Sequence, residues 1–174
     1  KALKRSNPSC RIMAYSRTST TTGLALSEHA IDICCTSVSD PQFAACDCIF
    51  LCAPVDTNIS ALRILKDIVP PDCILTDVGS VKTDIHRAAQ EMGLNGRFIG
   101  GHPMTGSEKS GFAHAQAHLF ENSYYIITPS ADTVPEKIDW YKKMVTGFGA
   151  LPIVLNCEQH DYATAAISHL PHLI

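Results

Sequence analysis

The chain has 174 residues, of which 45% are hydrophobic and 18% charged, and its formal net charge is −3 at pH 7. This length and composition fit one ordinary globular domain and exclude a disordered, collagen-like or coiled-coil chain. No apolar run reaches the roughly 18 residues of a membrane span. Because there is no excess of basic residues, nucleic acid is not an expected partner.

The eight cysteines predict reduced thiols in a cytoplasmic protein. Several lie in apolar runs such as Cys48-Ile49-Phe50-Leu51-Cys52, where cysteine acts as a small hydrophobic residue. No paired C-x-x-C motif occurs, so no metal site is expected. The sequence also has no segment with the pattern of a signal peptide.

Apolar runs typical of strands alternate along the chain with patterns typical of helices. Helices are predicted at residues 1–5, 19–29, 58–68, 80–92 and 135–146, and again from residue 157. Strands are predicted at residues 10–15, 47–53, 73–78, 97–99, 123–128 and 151–155. This alternation with short connections predicts an α/β fold, a Rossmann-like, doubly wound, mostly parallel sheet.

The predicted domain organisation is a nucleotide-binding domain over 1–156 and the first helix of an all-α domain over 157–174. The first domain is expected to be incomplete, with its first strand and its glycine-rich phosphate loop preceding Lys1. Gly147-Phe148-Gly149 has part of the spacing of such a loop, but it follows a helix and is interpreted as a turn.

Ligands of such sheets bind at the carboxyl ends of the strands, which predicts the cofactor site. After the first predicted strand, Ser16-Arg17-Thr18 stand where an acidic residue usually accepts the ribose hydroxyls of NAD. Because Ser and Arg would hold a 2′-phosphate, NADP is favoured over NAD, unless the segment is an ordinary polar turn. The further residues expected to bind the cofactor follow the next strands: Cys52, Ala53, Pro54, Val55, Gly79 and Ser80.

Two residues are candidates for catalysis. Ser80 could place a hydroxyl near a nicotinamide, or could simply cap the helix that follows it. His102 lies in the glycine-rich segment 100–111, which is predicted to be a loop, and it alone in that segment titrates near neutral pH. It is a candidate general base, the alternative being a structural histidine.

Near the end of the chain, His169 and His172 are three residues apart and share one face of a predicted helix that Pro171 kinks or ends. A polar helix end is the alternative. The remaining histidines are predicted to lie on surfaces and receive no role: His29, His86, His114, His118 and His160.

Four segments together resemble one known family. They read FLCAPV at 50–55, DVGSVK at 77–82, GHPMTGSEKSG at 101–111 and SHLPH at 168–172. Their order and spacing are similar to prephenate dehydrogenase and its close relative arogenate dehydrogenase. The resemblance covers residues 45–174 well and the first 45 residues loosely.

The resemblance implies an NAD(P)-dependent enzyme of tyrosine biosynthesis that oxidises prephenate to 4-hydroxyphenylpyruvate and releases CO2. His102 matches the family's catalytic histidine, and Ser80 matches a serine that hydrogen-bonds the same substrate hydroxyl. The segment with Thr105, Gly106, Glu108 and Lys109 matches the substrate-pocket mouth. His169 and His172 match the motif opening a helical domain that completes the substrate pocket and forms a homodimer.

The sequence departs from the family in three places. It has no phosphate-loop glycines, it lacks the later arginine for the substrate carboxylates, and Ser16-Arg17 replace the acidic residue. Two other functions stay open at this point. The chain could belong to an arogenate dehydrogenase, or to a regulatory module that binds NAD(P) without turnover.

Overall fold

The structure is a computed structural model that describes residues 1–106 and 111–169, with the backbone alone at 168 and 169. Within these residues, no helix is both long and apolar enough to cross a bilayer. The eight cysteines are unpaired. The helices are α1 (Ala2–Ser6), α2 (Ser19–Ser27), α3 (Val55–Leu65), α4 (Thr83–Glu91), α5 (Pro135–Gly147) and α6 (Cys157–Thr164). The strands are β1 (Met13–Ala14), β2 (Ile33–Cys34), β3 (Cys48–Leu51), β4 (Ile74–Asp77), β5 (Ile99–Pro103), β6 (Tyr124–Pro129) and β7 (Leu151–Val154).

The strands pair mainly in parallel. β1 pairs with β2 and β3 pairs with β4, both in parallel, and a parallel bridge between Leu75 and Phe98 joins β4 to the start of β5. β6 runs antiparallel to β5 and parallel to β7. The prediction of a Rossmann-like, mostly parallel sheet is therefore confirmed, with one antiparallel pair.

Apolar side chains pack on both faces of the sheet. Neighbouring residues of a strand point to opposite faces, and Ile74 and Leu75 accordingly belong to different clusters. Leu75 packs in the cluster that α3 and α4 cover, and Ile74 packs in the cluster that α5 covers. Helices on both faces make the sheet doubly wound, as the sequence predicts.

Several boundaries differ from the predicted ones. α3 begins at Val55 rather than at residue 58, with Pro54 at its N-cap position. α4 begins at Thr83 rather than at residue 80, with Lys82 at its N-cap position. The prediction lacks β2, since a strand of two residues leaves no periodic pattern to read. It also lacks a short 3-10 helix at Pro41–Ala45.

One difference concerns the candidate general base. The prediction of a loop from residue 100 is wrong, because β5 continues to Pro103 and pairs His102 with Ile126 of β6. His102 therefore lies on a strand, four residues into β5.

Candidate active site

Part of the predicted site comes together at the carboxyl ends of β4 and β5. Ser80, His102, Thr105 and Gly106 line one open cleft of about 280 Å³. Ser80 is exposed and His102 is half-buried. The remaining lining residues are Pro103, Met104 and Thr164.

Two glycines let the strand under His102 pack closely against its neighbours. A Cβ on Gly101 would lie 2.7 Å from the Tyr125 hydroxyl and 2.8 Å from both the carbonyl oxygen of Asp77 and the Tyr141 hydroxyl. A Cβ on Gly100 would lie 2.8 Å from His86 Nε2. Any side chain at these positions would push β5 away, so the glycines set the position of His102.

A buried ion pair anchors the turn that carries Ser80. Asp77 Oδ2 accepts hydrogen bonds from Lys82 Nζ and, at 2.9 Å, from the Gly79 N–H. Its other oxygen accepts the Gly101 N–H at 3.3 Å. Burial raises the pKa of Asp77 and lowers the pKa of Lys82, and the opposite charge of each partner counteracts both shifts. The pair thus ties the Ser80 turn to the strand that carries His102.

His102 also takes part in a chain of polar side chains that reaches α6. His102 Nδ1 lies 2.8 Å from His160 Nε2, and His160 Nδ1 lies 2.7 Å from Asp161 Oδ1. The His160 ring has no exposed surface. The two rings meet edge to face, with their centroids 5.0 Å apart.

Asp161 caps the N-terminus of α4 from outside that helix. Its two oxygens accept the N–H groups of Lys82 and Thr83, both at 2.8 Å, and also the Thr83 hydroxyl. Burial acts to raise the pKa of Asp161, but the hydrogen bonds from Thr83, His160 and Lys82 together lower it. The alternative reading of Ser80 as the cap of this helix is wrong, because Asp161 supplies the capping oxygens.

The predicted cofactor residues after β3 form the short loop that leads into α3. Cys52, Ala53 and Pro54 are exposed, and Val55 begins the helix. Buried Asn58 holds this loop, since its side-chain oxygen accepts the Ala53 N–H at 3.0 Å and its amide donates to the Leu51 carbonyl at 3.3 Å.

The predicted cofactor residues after β1 lie on the loop into α2. Arg17 and Thr18 are exposed, and the Thr18 N–H donates to Ser16 Oγ at 3.4 Å. These three residues are not among those that line the cleft around His102.

Other predicted residues lie wholly or partly outside the described part of the chain. Glu108, Lys109 and His172 lie outside the described residues, as does Pro171. His169 ends a π-helical turn at Ala165–His169, and its side chain also lies outside the described part.

Sequence reasoning missed two histidines. The prediction that His86 and His160 lie on surfaces is wrong, because 9% and 0% of their surfaces are exposed. His160 lies four residues before buried Thr164, so the two share the inner face of α6, but this spacing alone marks no site. His86 lies between the hydroxyls of Thr128 and Ser130, at 2.9 and 3.1 Å, and burial lowers its pKa to about 4.

The polar groups on the loops after β1 and β4 suit a dinucleotide. Hydroxyls at Ser16, Thr18 and Ser80 and the Arg17 guanidinium are half-buried or exposed on loops that follow strands, and such donors match ribose and phosphate oxygens. Within the described residues, no three His, Cys, Asp or Glu side chains are grouped as a metal site requires.

A comparison with protein families finds a match over most of the chain. Residues 1–154 match the model of the family described as "Prephenate dehydrogenase, nucleotide-binding domain". The chain is also 34% identical to the prephenate dehydrogenase of Bacillus subtilis, over 99% of this chain and 47% of that protein. The chain thus spans about half the length of this relative.

Solved structures agree with this match. Prephenate dehydrogenase from Aquifex aeolicus superposes with a TM-score of 0.92 at 31% identity, over 99% of this chain and 62% of that one. A second structure of that enzyme, in complex with hydroxyphenyl propionate and NAD+, gives a TM-score of 0.91. Synechocystis arogenate dehydrogenase superposes with a TM-score of 0.91 at 31% identity, over 99% of this chain and 60% of that one.

Proposed function

Because the chain belongs to the prephenate dehydrogenase family, we propose that the protein oxidises prephenate to 4-hydroxyphenylpyruvate and CO2 with NAD(P). The observation that carries this proposal is the cleft that His102 and Ser80 share at the carboxyl ends of β4 and β5. Substrates of doubly wound sheets bind at this edge.

His102 acts as the general base. Loss of hydride from ring carbon C4 of prephenate builds positive charge there, and transfer of the C4 hydroxyl proton to the imidazole relieves it. Loss of CO2 then makes the ring aromatic and drives the reaction forward. Ser80 donates a hydrogen bond to the same hydroxyl oxygen and so orients it towards His102.

The cofactor residues are the loops after β1, β3 and β4: Ser16, Arg17, Thr18, Cys52, Ala53, Pro54, Val55, Gly79 and Ser80. A bound nicotinamide supplies the hydride acceptor. Asn58 keeps the 52–54 loop in shape for this ligand through its two hydrogen bonds. Thr105, Gly106, Glu108, Lys109, His169 and His172 are proposed to bind the substrate.

NADP is the proposed preferred cofactor. Arg17 is exposed beside Ser16, and no carboxylate stands at this point of the sequence to repel a 2′-phosphate. Calorimetric titration should give a lower Kd for NADP than for NAD, and Arg17→Ala should weaken NADP binding alone. Equal Kd values for the two cofactors would contradict this preference.

The catalytic proposal is tested with His102→Asn in the protein at its full natural length. We expect the Kd for the cofactor to stay unchanged while kcat for prephenate falls by about 100-fold or more, since general-base catalysis is lost. His114→Asn, which changes an exposed histidine, is the matched control and should keep full activity. Unchanged turnover in His102→Asn would reject His102 as the base. Binding of NAD(P) by the unaltered protein with no turnover of prephenate would favour a module that binds NAD(P) without catalysis.

Arogenate is the second candidate substrate, which the likeness to Synechocystis arogenate dehydrogenase supports. It differs from prephenate in carrying an ammonium group in place of the keto group. Values of kcat/KM measured side by side for the two substrates decide between them.

We also propose a cytoplasmic homodimer in which residues 157–174 begin a helical domain that forms the dimer interface. The unpaired thiols support the location, and the family resemblance supports the dimer. Sedimentation of the protein at its full natural length would show the dimer, and a monomer at micromolar concentration would contradict it.

A further inference from the structure

We infer that His160 and Asp161 are positioning residues that determine which nitrogen of His102 accepts the substrate proton. The catalytic meaning of this inference rests on the proposed function. His102 Nδ1, His160 and Asp161 Oδ1 form a continuous chain through contacts of 2.8 and 2.7 Å. These hydrogen bonds link β5 to α6, between residues that are 58 apart in the sequence.

The chemistry of the three groups sets the direction of these hydrogen bonds. An ionised carboxylate only accepts, so the proton between Asp161 and His160 belongs to His160 Nδ1. A neutral imidazole has one donor and one acceptor, so His160 Nε2 is then the acceptor. The proton between the two rings must therefore belong to His102 Nδ1.

This tautomer suits a general base. With the proton of His102 on Nδ1, the lone pair is on Nε2, and Nε2 is the atom that takes the hydroxyl proton. The opposite tautomer would present an N–H to the substrate and could not accept a proton. When His102 becomes charged, the hydrogen bonds through His160 couple its positive charge to the negative charge of Asp161.

Neighbouring residues hold the side chains of His160 and Asp161 in place. Asn156 and Gln159 form a capping box at the start of α6, which fixes the turn that carries His160. Thr83 and Lys82 bind the Asp161 oxygens from α4.

Other polar groups surround the same part of β5. The Thr164 hydroxyl lies 3.5 Å from His160 Nε2, which is longer than the contact with His102. Among the described residues, the titratable groups packed around this part of β5 also include Asp77, Lys82, His86, Tyr125 and Tyr141.

Nitrogen-15 NMR of histidine-labelled protein tests the tautomer without any substrate. At a pH where His102 is neutral, we expect its Nδ1 to be protonated and its Nε2 to carry the lone pair. The His102→Asn spectrum assigns the signals by loss of one histidine. A proton on Nε2 of neutral His102, or protons on both nitrogens of His160, would overturn the inference, whatever the substrate is.

Kinetics test the positioning role in the protein at its full natural length. His160→Leu should lower kcat by about 100-fold and leave the cofactor KM unchanged, because a misoriented base loses its reactive geometry. The acid limb of its kcat profile should move to lower pH, because the charged imidazole loses its link to Asp161. His160→Gln should recover part of kcat, since its side-chain oxygen can still accept from His102 Nδ1.

Ser130→Ala is the matched control, because it removes a hydrogen bond to buried His86 and leaves the chain to Asp161 intact. It should lower stability and keep kcat. An equal, small change of kcat in His160→Leu and Ser130→Ala would overturn the positioning role. Failure of the unaltered protein to turn over prephenate would instead contradict the proposed function, so the two results are distinct.

Discussion

The side chains of Asp77 and Lys82 form an ion pair with no exposed surface on either partner, and Asp77 also accepts the N–H of Gly101, the residue before His102. Buried charges are costly unless they are paired, and loss of one partner leaves the other without compensation. This ion pair therefore contributes both to the stability of this edge of the sheet and to the position of the candidate site.

We predict that Lys82→Met lowers the free energy of unfolding by about 3–5 kcal/mol, since it leaves the Asp77 carboxylate buried and unpaired. Urea unfolding measures this change. The double variant Asp77→Asn with Lys82→Met should be less destabilised than Lys82→Met alone. Arg87→Met is the control for an exposed pair, with Asp84, and should cost less than about 1 kcal/mol.

His86 should make stability depend on pH. Burial lowers its pKa from 6.5 to about 4 in the folded protein, so below pH 6.5 the unfolded state binds more protons than the folded state. The free energy of unfolding should therefore fall as the pH drops from 6.5 towards 4, by on the order of 3 kcal/mol for this group.

The contribution of His86 is isolated by comparing variants across this pH range. His86→Gln should show a smaller loss of stability on acidification than the unaltered protein. His118→Gln changes an exposed histidine and should keep the full loss. The same pH dependence in all three proteins would contradict the prediction.

Gly101→Ala should destabilise the protein by about 1–3 kcal/mol, because the added methyl group meets two buried tyrosine hydroxyls and a backbone carbonyl. Gly23→Ala is the matched control, since Gly23 lies within α2 and its added Cβ meets nothing within 4 Å beyond its chain neighbours and the backbone of its own helix. That change should stabilise the protein by about 0.5–1 kcal/mol through helix propensity. Thermal unfolding of both variants gives the comparison, and equal effects would contradict it.

Asn58→Ala should lower the free energy of unfolding by about 1–3 kcal/mol, because the Leu51 carbonyl and the Ala53 N–H lose their partner. Ser60→Ala, on the exposed side of the same helix, should change it by less than about 0.5 kcal/mol. Urea unfolding distinguishes the two, and a similar small effect of both would show that the loop does not depend on Asn58.

The sheet could be predicted because its strands are apolar runs separated by proline, glycine and helical spacing. The rule that ligands bind at carboxyl ends also selected Ser80 and His102 as candidates, since it needs only strand positions. Ser80 and His102 do line the same cleft, as that rule predicts.

The strand position of His102 could not be predicted, because Gly-Gly-His-Pro has the composition of a turn. Tertiary packing decides it: the ladder with β6 and the close approach of Tyr125 and Tyr141 hold these residues extended. His160 was missed for a related reason. Its partner His102 lies 58 residues away, and no local pattern encodes a contact of that kind.

Asp161 serves two structures through one carboxylate, the first turn of α4 and the imidazole of His160. A substitution that removes this carboxylate takes away the cap of α4 and the hydrogen-bond partner of His160 at once. One side chain thus couples the N-terminus of α4 to the buried histidine of α6, and a single substitution there perturbs both helices.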